Sequence, residues 1–594
     1  MNLNSEIGIN SRNFEAEQVD PGRIKILYWI GLVMLVVMVG QLLRKQVFEY
    51  STYAAMAQDQ QVAEITSEPN RGTIYTYDRT ASDFGVSQST NDSQLHPMAI
   101  NVTKYDIMVV PSNVTDPEGV ARALSEKLDD INYDELLADL KTDKLYLPAV
   151  AKRIDEKKAE EISNLNLTGV MTVPKSVRYY PEGNMLAQVL GFVNFDGEGS
   201  GGVEKYYDSE LEGVAGVVYG VKDTHGRVIE VNDQAEAQDG VSLVLTIDST
   251  VQFIVEKELK SSIEKYGAQG GSIVIMEPDT GKILAMASEP SYNPNTFNEV
   301  KEEDQWKFVN PSVTYNWEPG SIMKPVVMAA AINDGKVEPD TKPDDLEGGF
   351  SNMITVDGYE IHNSDDVAHG YETMTEVLEN SDNIGMAWVS DKLGKETMYK
   401  YLKDFGFGDK TGIDLEAEST GSLLDVGQWR DVHRVTMSFG QGLSVTPIQM
   451  VTAYSVLANG GKLVKPHLLD TVISADGEER EVQTTEIREV ISEETANKIK
   501  EMLVSVVENG HGKAAQVEGF RVAGKTGTAQ VVNDEGEYEE DAHIGGFIGF
   551  APADDPKFVM LVKLDRPSNV EFAESSAAPT FGTIAKWLLT NYYR

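Results

Sequence analysis

The sequence predicts an α+β protein with a membrane anchor, a β-rich region and a domain in which helices pack on an antiparallel sheet. Three observations lead to this prediction. One apolar run near the N-terminus is long enough to cross a bilayer. The region after it alternates short strand patterns with helix patterns and is rich in glycine and aromatic residues. The last part opens with a strand, a helix and a hairpin, which is typical of an antiparallel sheet covered by helices.

Length and composition limit the class of protein. At 594 residues the chain is too long for one ordinary domain, and 41% hydrophobic residues are enough to build cores. The net charge of −44 and the pI near 4.5 argue against nucleic acid as a partner, because 51 Lys and Arg against 95 Asp and Glu form no basic face. With no cysteine, the chain has neither a disulfide nor a cysteine nucleophile.

The anchor is the apolar run at residues 26–43, which is interrupted only by Gln41. A helix of this length spans roughly 27 Å and just crosses the hydrocarbon core when flanking Lys and Arg reach the interface. Tyr28 and Trp29 lie at one end, where an aromatic belt belongs. Residues 55–57 imitate a signal-peptide cleavage site, but they lie too far from an apolar run that is itself too long. We therefore predict an uncleaved transmembrane helix.

The basic residues around this helix indicate its orientation. Three precede it, whereas only Arg44 and Lys45 follow it before Arg71. The positive-inside rule then predicts a cytoplasmic tail at residues 1–25, a single pass through the plasma membrane, and an extracytoplasmic remainder. No second apolar run approaches a spanning length.

Residues 44–239 contain no set of residues typical of a catalytic site. Asp116 followed by Pro117 predicts the cap and the first position of a helix. The glycine-rich string at residues 199–204 lacks the preceding apolar strand and the following capped helix of a phosphate-binding loop, so we expect tight turns. A polar stretch at residues 231–240 predicts a linker and sets the domain boundary.

The second domain is predicted at residues 240–594. It begins with a strand at residues 242–247 and a helix at residues 249–266. A hairpin is predicted around the turn at residues 277–281.

The string SIMK at residues 321–324 is the first motif with chemical content. Ser321 follows a Glu-Pro-Gly turn and starts a helix predicted over residues 322–332, where N–H groups and the helix dipole favour developing negative charge. Lys324 lies on the same face and can act as a general base if burial and a neighbouring cation, Lys525, lower its pKa. Alone, the string is also compatible with an ordinary capped helix.

The string SDN at residues 381–383 is predicted to form a turn between two helices. Beside a Ser/Lys pair, Ser381 supplies a hydroxyl that relays a proton, and Asn383 supplies an amide that holds substrate. In isolation the same string is only a turn and a cap.

The third motif is the string KTGT at residues 525–528. Its first two residues, Lys525 and Thr526, are also the last two of a full match to the phosphate-loop pattern at residues 519–526. That loop needs an apolar strand before it and a helix after it, whereas here residues 528–532 continue as a strand. We therefore predict an edge strand in which Gly527 permits close approach of another backbone.

In this order, the three strings resemble the motifs of the class B penicillin-binding proteins, and the resemblance covers nearly the whole chain. Further matching strings are Arg71-Gly72, Gly202-Val203-Glu204, Tyr292-Asn293-Pro294, Gly440-Gln441-Gly442, Gly549-Phe550-Ala551-Pro552 and Ala578-Pro579-Thr580-Phe581. The resemblance implies an elongated, non-catalytic pedestal at residues 44–239 and a serine β-lactamase-like transpeptidase domain at residues 240–594.

The resemblance also implies a role for each motif residue. Ser321 would attack the penultimate D-Ala carbonyl of a stem pentapeptide and expel the terminal D-Ala, while Lys324 takes the serine proton. Ser381 would pass a proton to the leaving group, and Asn383 would hold the substrate amide. The backbone N–H groups of Ser321 and Thr528 would form the oxyanion hole.

The substrate carboxylate would be bound by the third motif, at Lys525, Thr526, Gly527 and Thr528. An amine of a second stem peptide would then resolve the acyl-enzyme, which makes the reaction a transfer. The resemblance implies β-lactams as covalent inhibitors and neither a cofactor nor a metal. It also implies a polytopic glycan polymerase and other division proteins as partners, with a division-type role favoured over an elongation-type role.

Several alternatives stay open at this point. A β-lactam hydrolase or a D,D-carboxypeptidase is disfavoured, because no E-x-x-L-N string lies between Ser381 and Lys525 and such an enzyme needs neither anchor nor pedestal. A penicillin-binding sensor without turnover is disfavoured by the intact motifs. A bifunctional enzyme is excluded, because residues 44–240 lack glycosyltransferase-like acidic motifs.

Overall fold

The computed structural model describes residues 21–52, 62–78, 95–129, 131–142, 144, 147–222, 228–532 and 538–593. Most of the predicted tail and the cleavage-like residues 55–57 lie outside the described residues. The chain divides into two units, which are described separately. The first contains Met1–Glu68 and Ala215–Ala237, and the second contains Pro69–Val214 and Gln238–Arg594.

Helices and strands are both abundant, as an α+β chain requires. The α-helices are α1 (Pro21–Leu43), α2 (Pro117–Lys127), α3 (Tyr133–Leu140), α4 (Glu156–Ser163), α5 (Ala187–Leu190), α6 (Gly202–Tyr206), α7 (Asp208–Glu212), α8 (Ser249–Tyr266), α9 (Pro311–Thr314), α10 (Lys324–Asn333), α11 (Met374–Glu379), α12 (Asn383–Leu393), α13 (Lys395–Asp404), α14 (Asp431–Ser438), α15 (Pro447–Ala458), α16 (Glu493–Glu508) and α17 (Ala577–Trp587). The strands are β1 (Val62–Ser67), β2 (Ile74–Tyr77), β3 (Leu95–Val109), β4 (Ala151–Ile154), β5 (Val170–Tyr179), β6 (Phe192–Val193), β7 (Gly199–Ser200), β8 (Gly216–Lys222), β9 (Val228–Ala235), β10 (Ser242–Asp248), β11 (Gly270–Met276), β12 (Ile283–Glu289), β13 (Met353–Val356), β14 (Tyr359–His362), β15 (Lys462–Val464), β16 (Leu469–Ile473), β17 (Glu479–Glu481), β18 (Glu486–Glu489), β19 (Ala523–Val532), β20 (Tyr538–Ala551) and β21 (Phe558–Asp565).

The first unit contains the apolar helix and one small sheet. Helix α1 begins five residues before the predicted apolar run and ends with it at Leu43. The helical stretch Ile24–Phe48, which continues past the end of α1, is apolar enough to cross a membrane, with a mean hydropathy of 2.3 and no residue buried. These properties suit a single-pass membrane protein.

The predicted linker at residues 231–240 is wrong over its first half. Strand β9 continues to Ala235 and pairs antiparallel with β8 in the sheet β1-β8-β9. Polar residues conceal a strand here because the ladder is built from backbone groups, which pair whatever the side chains are.

In the second unit, a five-stranded sheet in the order β12-β11-β21-β20-β19 is antiparallel throughout. Alternate residues of β11 face opposite cores, as strand geometry requires. Ile273 and Ile275 join the core that includes α8 and α17, whereas Val274 and Met276 join the core that includes α10 and α15. The predicted antiparallel sheet packed by helices is confirmed.

Two local predictions are confirmed by capping hydrogen bonds. Asp116 accepts a hydrogen bond from the backbone N–H of Gly119 at the start of α2. Helix α8 covers the predicted residues 249–266, and Asp248 caps it by accepting from the N–H groups of Thr250 and Val251.

A mixed sheet completes the second unit. Its strands follow the order β17-β16-β10-β2-β3-β4, and β5 also pairs with β3. The pairing of β10 with β2 is parallel. This sheet therefore joins residues of the predicted first region to the strand that opens the second.

Candidate active site

Ser321 lies in a short 3₁₀ turn, Gly320–Met323, which runs directly into α10. The helix start is confirmed, but its first turn is tighter than an α-helix, so positions 321 and 324 are nearly eclipsed. Two contacts hold the turn: the N–H of Gly320 donates to Gly440 O at 3.0 Å, and the hydroxyl of Tyr454 donates to Ile322 O at 2.7 Å. The hydroxyl of Ser321 makes no hydrogen bond with any residue that the structure describes.

Lys324 is fully buried at the start of α10. Its Nζ donates to the backbone carbonyl of Ser381 and, at 3.1 Å, to the Ser381 hydroxyl. Burial and then the positive charge of Lys525 hold the pKa of Lys324 well below its usual value, although Asp382 and Asp365 oppose the shift. The side chain therefore meets the main requirement for a general base.

The SDN string forms the predicted turn between α11 and α12. Ser381 adopts a φ of +56°, which L-residues rarely occupy. Asp382 is fully buried and caps α12 by accepting a hydrogen bond from the N–H of Gly385 at 2.8 Å. The cap fixes the helix start, and the left-handed turn directs the Ser381 hydroxyl toward both lysines.

Lys525 lies on β19, an edge strand of the five-stranded sheet, and is fully buried. Its Nζ donates to the Ser381 hydroxyl at 3.0 Å and to the carbonyl and hydroxyl of Thr526 at 3.2 and 3.4 Å. Burial lowers the pKa of Lys525 to about 7, against the opposing charge of Glu574. The predicted edge strand is confirmed, and a phosphate loop is excluded because no helix follows Thr526.

Gly527 lets this strand approach the turn that carries Ser321. A Cβ at this position would lie 2.9 Å from both Ile322 Cγ2 and Pro319 O. Such distances are shorter than real Cβ contacts, so any side chain here would displace the strand. The close approach predicted for Gly527 is confirmed.

Asn383 and Thr528 complete the predicted set. Asn383 begins α12, and its side-chain amide donates to His362 O at 2.8 Å. The hydroxyl of Thr528 accepts a hydrogen bond from the N–H of Ala573 at 3.2 Å. Both residues are thus held in place by backbone groups of neighbouring segments.

The predicted residues meet at one cavity of about 630 Å³, which we call the catalytic cavity. Ser321, Ser381, Asn383, Thr526 and Thr528 line it, and the two lysines are buried beside Ser381. Its other lining residues were not predicted from the sequence: Gly320, His362, Asn363, Ser364, Asp365, Phe439, Gln441, His511, Gln530, Phe572 and Glu574. Of these, Gln441 lies in a family string, Gly320 directly precedes Ser321, and Gln530 lies in the strand predicted after Thr528. The others have no spacing in the sequence that connects them to the motifs.

This arrangement can perform acyl transfer. An unpaired serine hydroxyl at a helix start faces a cavity, and two buried amines with lowered pKa values share a second hydroxyl. Burial disfavours charge on both amines at once, so one of them can accept a proton while the other stays cationic.

Comparisons with known proteins agree with this chemistry. The family described as the penicillin binding protein transpeptidase domain matches residues 271–586. The family described as the penicillin-binding protein dimerisation domain matches residues 66–245.

Similar curated proteins cover most of the chain. Stage V sporulation protein D of Bacillus subtilis is 37% identical over 572 residues, which are 95% of this chain and 85% of that protein. The peptidoglycan D,D-transpeptidase FtsI of Escherichia coli is 32% identical over 507 residues, or 83% and 81% of the two chains. Among solved structures, penicillin binding protein 3 of Mycobacterium tuberculosis, complexed with aztreonam, has a TM-score of 0.67 at 27% identity and covers 89% of this chain and 97% of that one.

Proposed function

The chain belongs to the class B penicillin-binding proteins, and from this premise we propose that it cross-links peptidoglycan as a serine D,D-transpeptidase. The observation that carries the proposal is the shared hydroxyl of Ser381, to which both Lys324 and Lys525 donate. It connects all three motifs in one hydrogen-bonded group beside Ser321.

In the acylation step, Ser321 Oγ attacks the carbonyl carbon of the penultimate D-Ala and forms a C–O bond. Neutral Lys324 takes the hydroxyl proton, which its buried position supports. The N–H groups of Ser321 and Thr528 stabilise the oxyanion, consistent with the close packing of Gly320, whose added Cβ would lie 3.2 Å from Thr528 O. The C–N bond then breaks, and the leaving D-Ala nitrogen receives its proton through Ser381.

In the transfer step, the amine of a second stem peptide attacks the ester carbonyl of the acyl-enzyme. Lys324 takes the proton of this amine, a new C–N bond forms, and Ser321 regains its proton through the reverse of the first path. Lys525 stays cationic with substrate bound and, with Thr526 and Thr528, holds the substrate carboxylate. Asn383 orients the peptide amide.

We also propose that the enzyme acts in septal wall synthesis and is inhibited by β-lactams. The named relative FtsI and the aztreonam complex of a similar protein support this assignment. The exposed apolar helix α1 then serves as the membrane anchor and as the contact with a polytopic glycan polymerase among other division proteins. A fluorescent fusion concentrated at the division septum is the expected result; uniform labelling of the side wall would favour an elongation role.

The chemistry is tested with fluorescent penicillin and with a stem pentapeptide. The wild type should be labelled covalently, should release D-Ala, and should form a cross-linked product when a second stem peptide supplies the amine. Ser321→Ala should abolish all three, whereas Ser209→Ala, at an exposed serine outside the cavity, should change none. Labelling without D-Ala release would indicate a sensor, and release without cross-linking a carboxypeptidase.

Orientation is tested with single cysteines, because the natural chain has none. Ser5→Cys places the sole thiol in the predicted cytoplasmic tail, and Glu360→Cys places it at an exposed position of β14. A membrane-impermeant maleimide applied to intact cells should label only the Glu360→Cys chain. Labelling of Ser5→Cys alone would reverse the proposed topology.

A further inference from the structure

A second cavity, of about 520 Å³, lies at one end of the five-stranded sheet and belongs to none of the three motifs. Its walls come from the ends of β11, β19 and β21, from Ile544 in the middle of β20, and from the segment between β12 and the Ser321 turn. We propose that this cavity binds the polysaccharide strand of peptidoglycan, a polymer of N-acetylated amino sugars. The inference rests on the proposed function for the identity of that polymer.

Aromatic side chains give the cavity flat apolar surfaces. Trp306 and Tyr315 line it with exposed fractions of 47% and 43%, and Trp317 lines it as a buried ring. Large exposed aromatic residues so close together are unusual on a protein surface unless a ligand covers them. The C–H faces of a sugar ring pack on such surfaces, while its hydroxyl and acetamido groups need polar partners at the edges.

Polar groups with unused hydrogen-bonding capacity adjoin these rings. The indole Nε1–H of Trp317 is buried and has no hydrogen-bond partner among the described residues. Asn316 lines the cavity with an exposed side-chain amide, which offers both a donor and an acceptor. A buried donor without a partner is rare and indicates an acceptor that arrives with water or a ligand.

The charges of the cavity disfavour an anionic ligand. Lys563 forms an ion pair with Asp565, and Arg566 forms a bidentate pair with Glu539 at 2.6 and 2.7 Å. Both cations of the lining are therefore already paired, and Glu289 adds a carboxylate that accepts from the N–H of Ser291, so a carboxylate of a stem peptide finds no free cation here. A polyhydroxylated, uncharged segment of glycan fits this lining better than an anionic peptide.

The position of the cavity suits a strand whose peptide enters the catalytic cavity. Gln530 of β19 lines the catalytic cavity, and its neighbour Val531 lines the second. Trp317 precedes Ser321 by four positions in the same segment, so both cavities share this wall as well. A glycan strand held here would raise the local concentration of its own stem peptide at Ser321.

The test is titration calorimetry of the full chain with a neutral β-1,4-linked tetramer of N-acetylglucosamine, in a detergent without a sugar headgroup. The wild type should bind the tetramer saturably, and Trp306→Ala and Tyr315→Ala should each weaken binding at least tenfold. Phe253→Ala, at a 58% exposed aromatic residue outside both cavities, should bind as the wild type does. All four proteins should react equally with penicillin.

The results that would overturn the glycan site differ from those that would overturn the proposed transpeptidase function. Absence of saturable binding to a wild type that still reacts with penicillin overturns the glycan site alone. Equal binding by the wild type and both cavity variants, or displacement of the tetramer by a stem pentapeptide, overturns it as well. Absence of the penicillin reaction would instead overturn the acyl-serine mechanism.

Discussion

Lys324 and Lys525 donate hydrogen bonds to one atom, the hydroxyl oxygen of Ser381, from 3.1 and 3.0 Å. Both ammonium groups are fully buried, so charging both at once is unfavourable. The two lysines therefore titrate as a linked pair, and the protonation of one depends on the other. This relationship places the acid–base chemistry of the site in a single hydrogen-bonded group.

The first prediction concerns the pH dependence of acylation. The rate should rise with pH as Lys324, whose pKa is lowered, loses its proton and becomes a base. It should fall again above about pH 7, because Lys525, with a pKa of about 7, then loses the charge that binds carboxylate. Measuring the second-order rate of penicillin acylation across this range should give a bell-shaped profile.

Lys525→Arg provides the control for this profile, because a guanidinium stays charged at every pH of the assay. The variant should keep the rising limb and lose the falling limb. If the falling limb persists unchanged in Lys525→Arg, the limb does not belong to Lys525.

The second prediction concerns stability. Between about pH 7 and 10.5, the unfolded chain keeps a proton on Lys525 that the folded chain has lost. Because the unfolded state then binds more protons, the free energy of unfolding rises with pH in this window. Lys525→Met removes the contribution of Lys525, so the difference in free energy of unfolding between the wild type and the variant should change in favour of the wild type by up to about 1.4 kcal/mol per pH unit above pH 7. Denaturant unfolding at matched pH values measures this difference, and a constant difference from pH 6 to 10 would contradict the shift.

The third prediction uses the positive φ of Ser381. Both Ser381→Ala and Ser381→Gly remove the hydroxyl that the two lysines share, so both should slow acylation strongly. Only glycine adopts a φ of +56° without strain, so Ser381→Gly should be about 1 kcal/mol more stable than Ser381→Ala. Thermal unfolding of the two variants makes the comparison, and equal stabilities would argue that the turn relaxes when the hydroxyl is lost.

The fourth prediction concerns Gly527. In Gly527→Ala the new methyl group would lie 2.9 Å from Pro319 O, and β19 must move away from the Ser321 turn. We expect acylation to slow by about 10²-fold, because small displacements of reacting groups have effects of this size. Gly519→Ala is the matched control, since nothing lies within 4 Å of its Cβ. Its positive φ of 84° affects stability and leaves the active-site spacing unchanged.

The motifs, the helix starts and the antiparallel sheet could be predicted because each depends on a short local pattern. The spacing of Ser321 and Lys324 and the strand after Thr526 are examples. The left-handed conformation of Ser381 belongs to a local turn, in which the N–H of Asp382 donates to Val377 O at 2.9 Å, but a serine does not signal it as a glycine would. The sharing of the Ser381 hydroxyl could not be predicted, because the two lysines come from segments far apart in the chain. The roles assigned to the motif residues remain predictions that the experiments above test.

The polar strand β9 and the second cavity escaped prediction for the same physical reason. Strand β9 is specified by backbone pairing with β8, and the cavity by where several strands meet.

The strings Arg71-Gly72 and Gly202-Val203-Glu204 were recognised only by resemblance to the family, and the structure shows what two of their residues do. The carboxylate of Glu204 is fully buried and accepts from Arg71 Nε at 2.8 Å and from Arg178 Nε at 2.6 Å.

The last prediction follows from this buried ion triad. Glu204→Gln removes the carboxylate that two arginine side chains share, which are 10% and 3% exposed. Arg71 keeps its ion pair with Asp208 at 2.9 Å, whereas Arg178 loses the charge of its Glu204 partner. The free energy of unfolding should fall by about 3–5 kcal/mol, measured by urea denaturation. Asp155→Asn, which breaks an exposed ion pair with Lys104, should lower the free energy of unfolding by about 1 kcal/mol or less.

The folded fraction of Glu204→Gln should still react with penicillin at the wild-type rate, because none of Glu204, Arg71 and Arg178 lines the catalytic cavity. Equal losses of stability in the two variants would show that burial adds nothing to the triad.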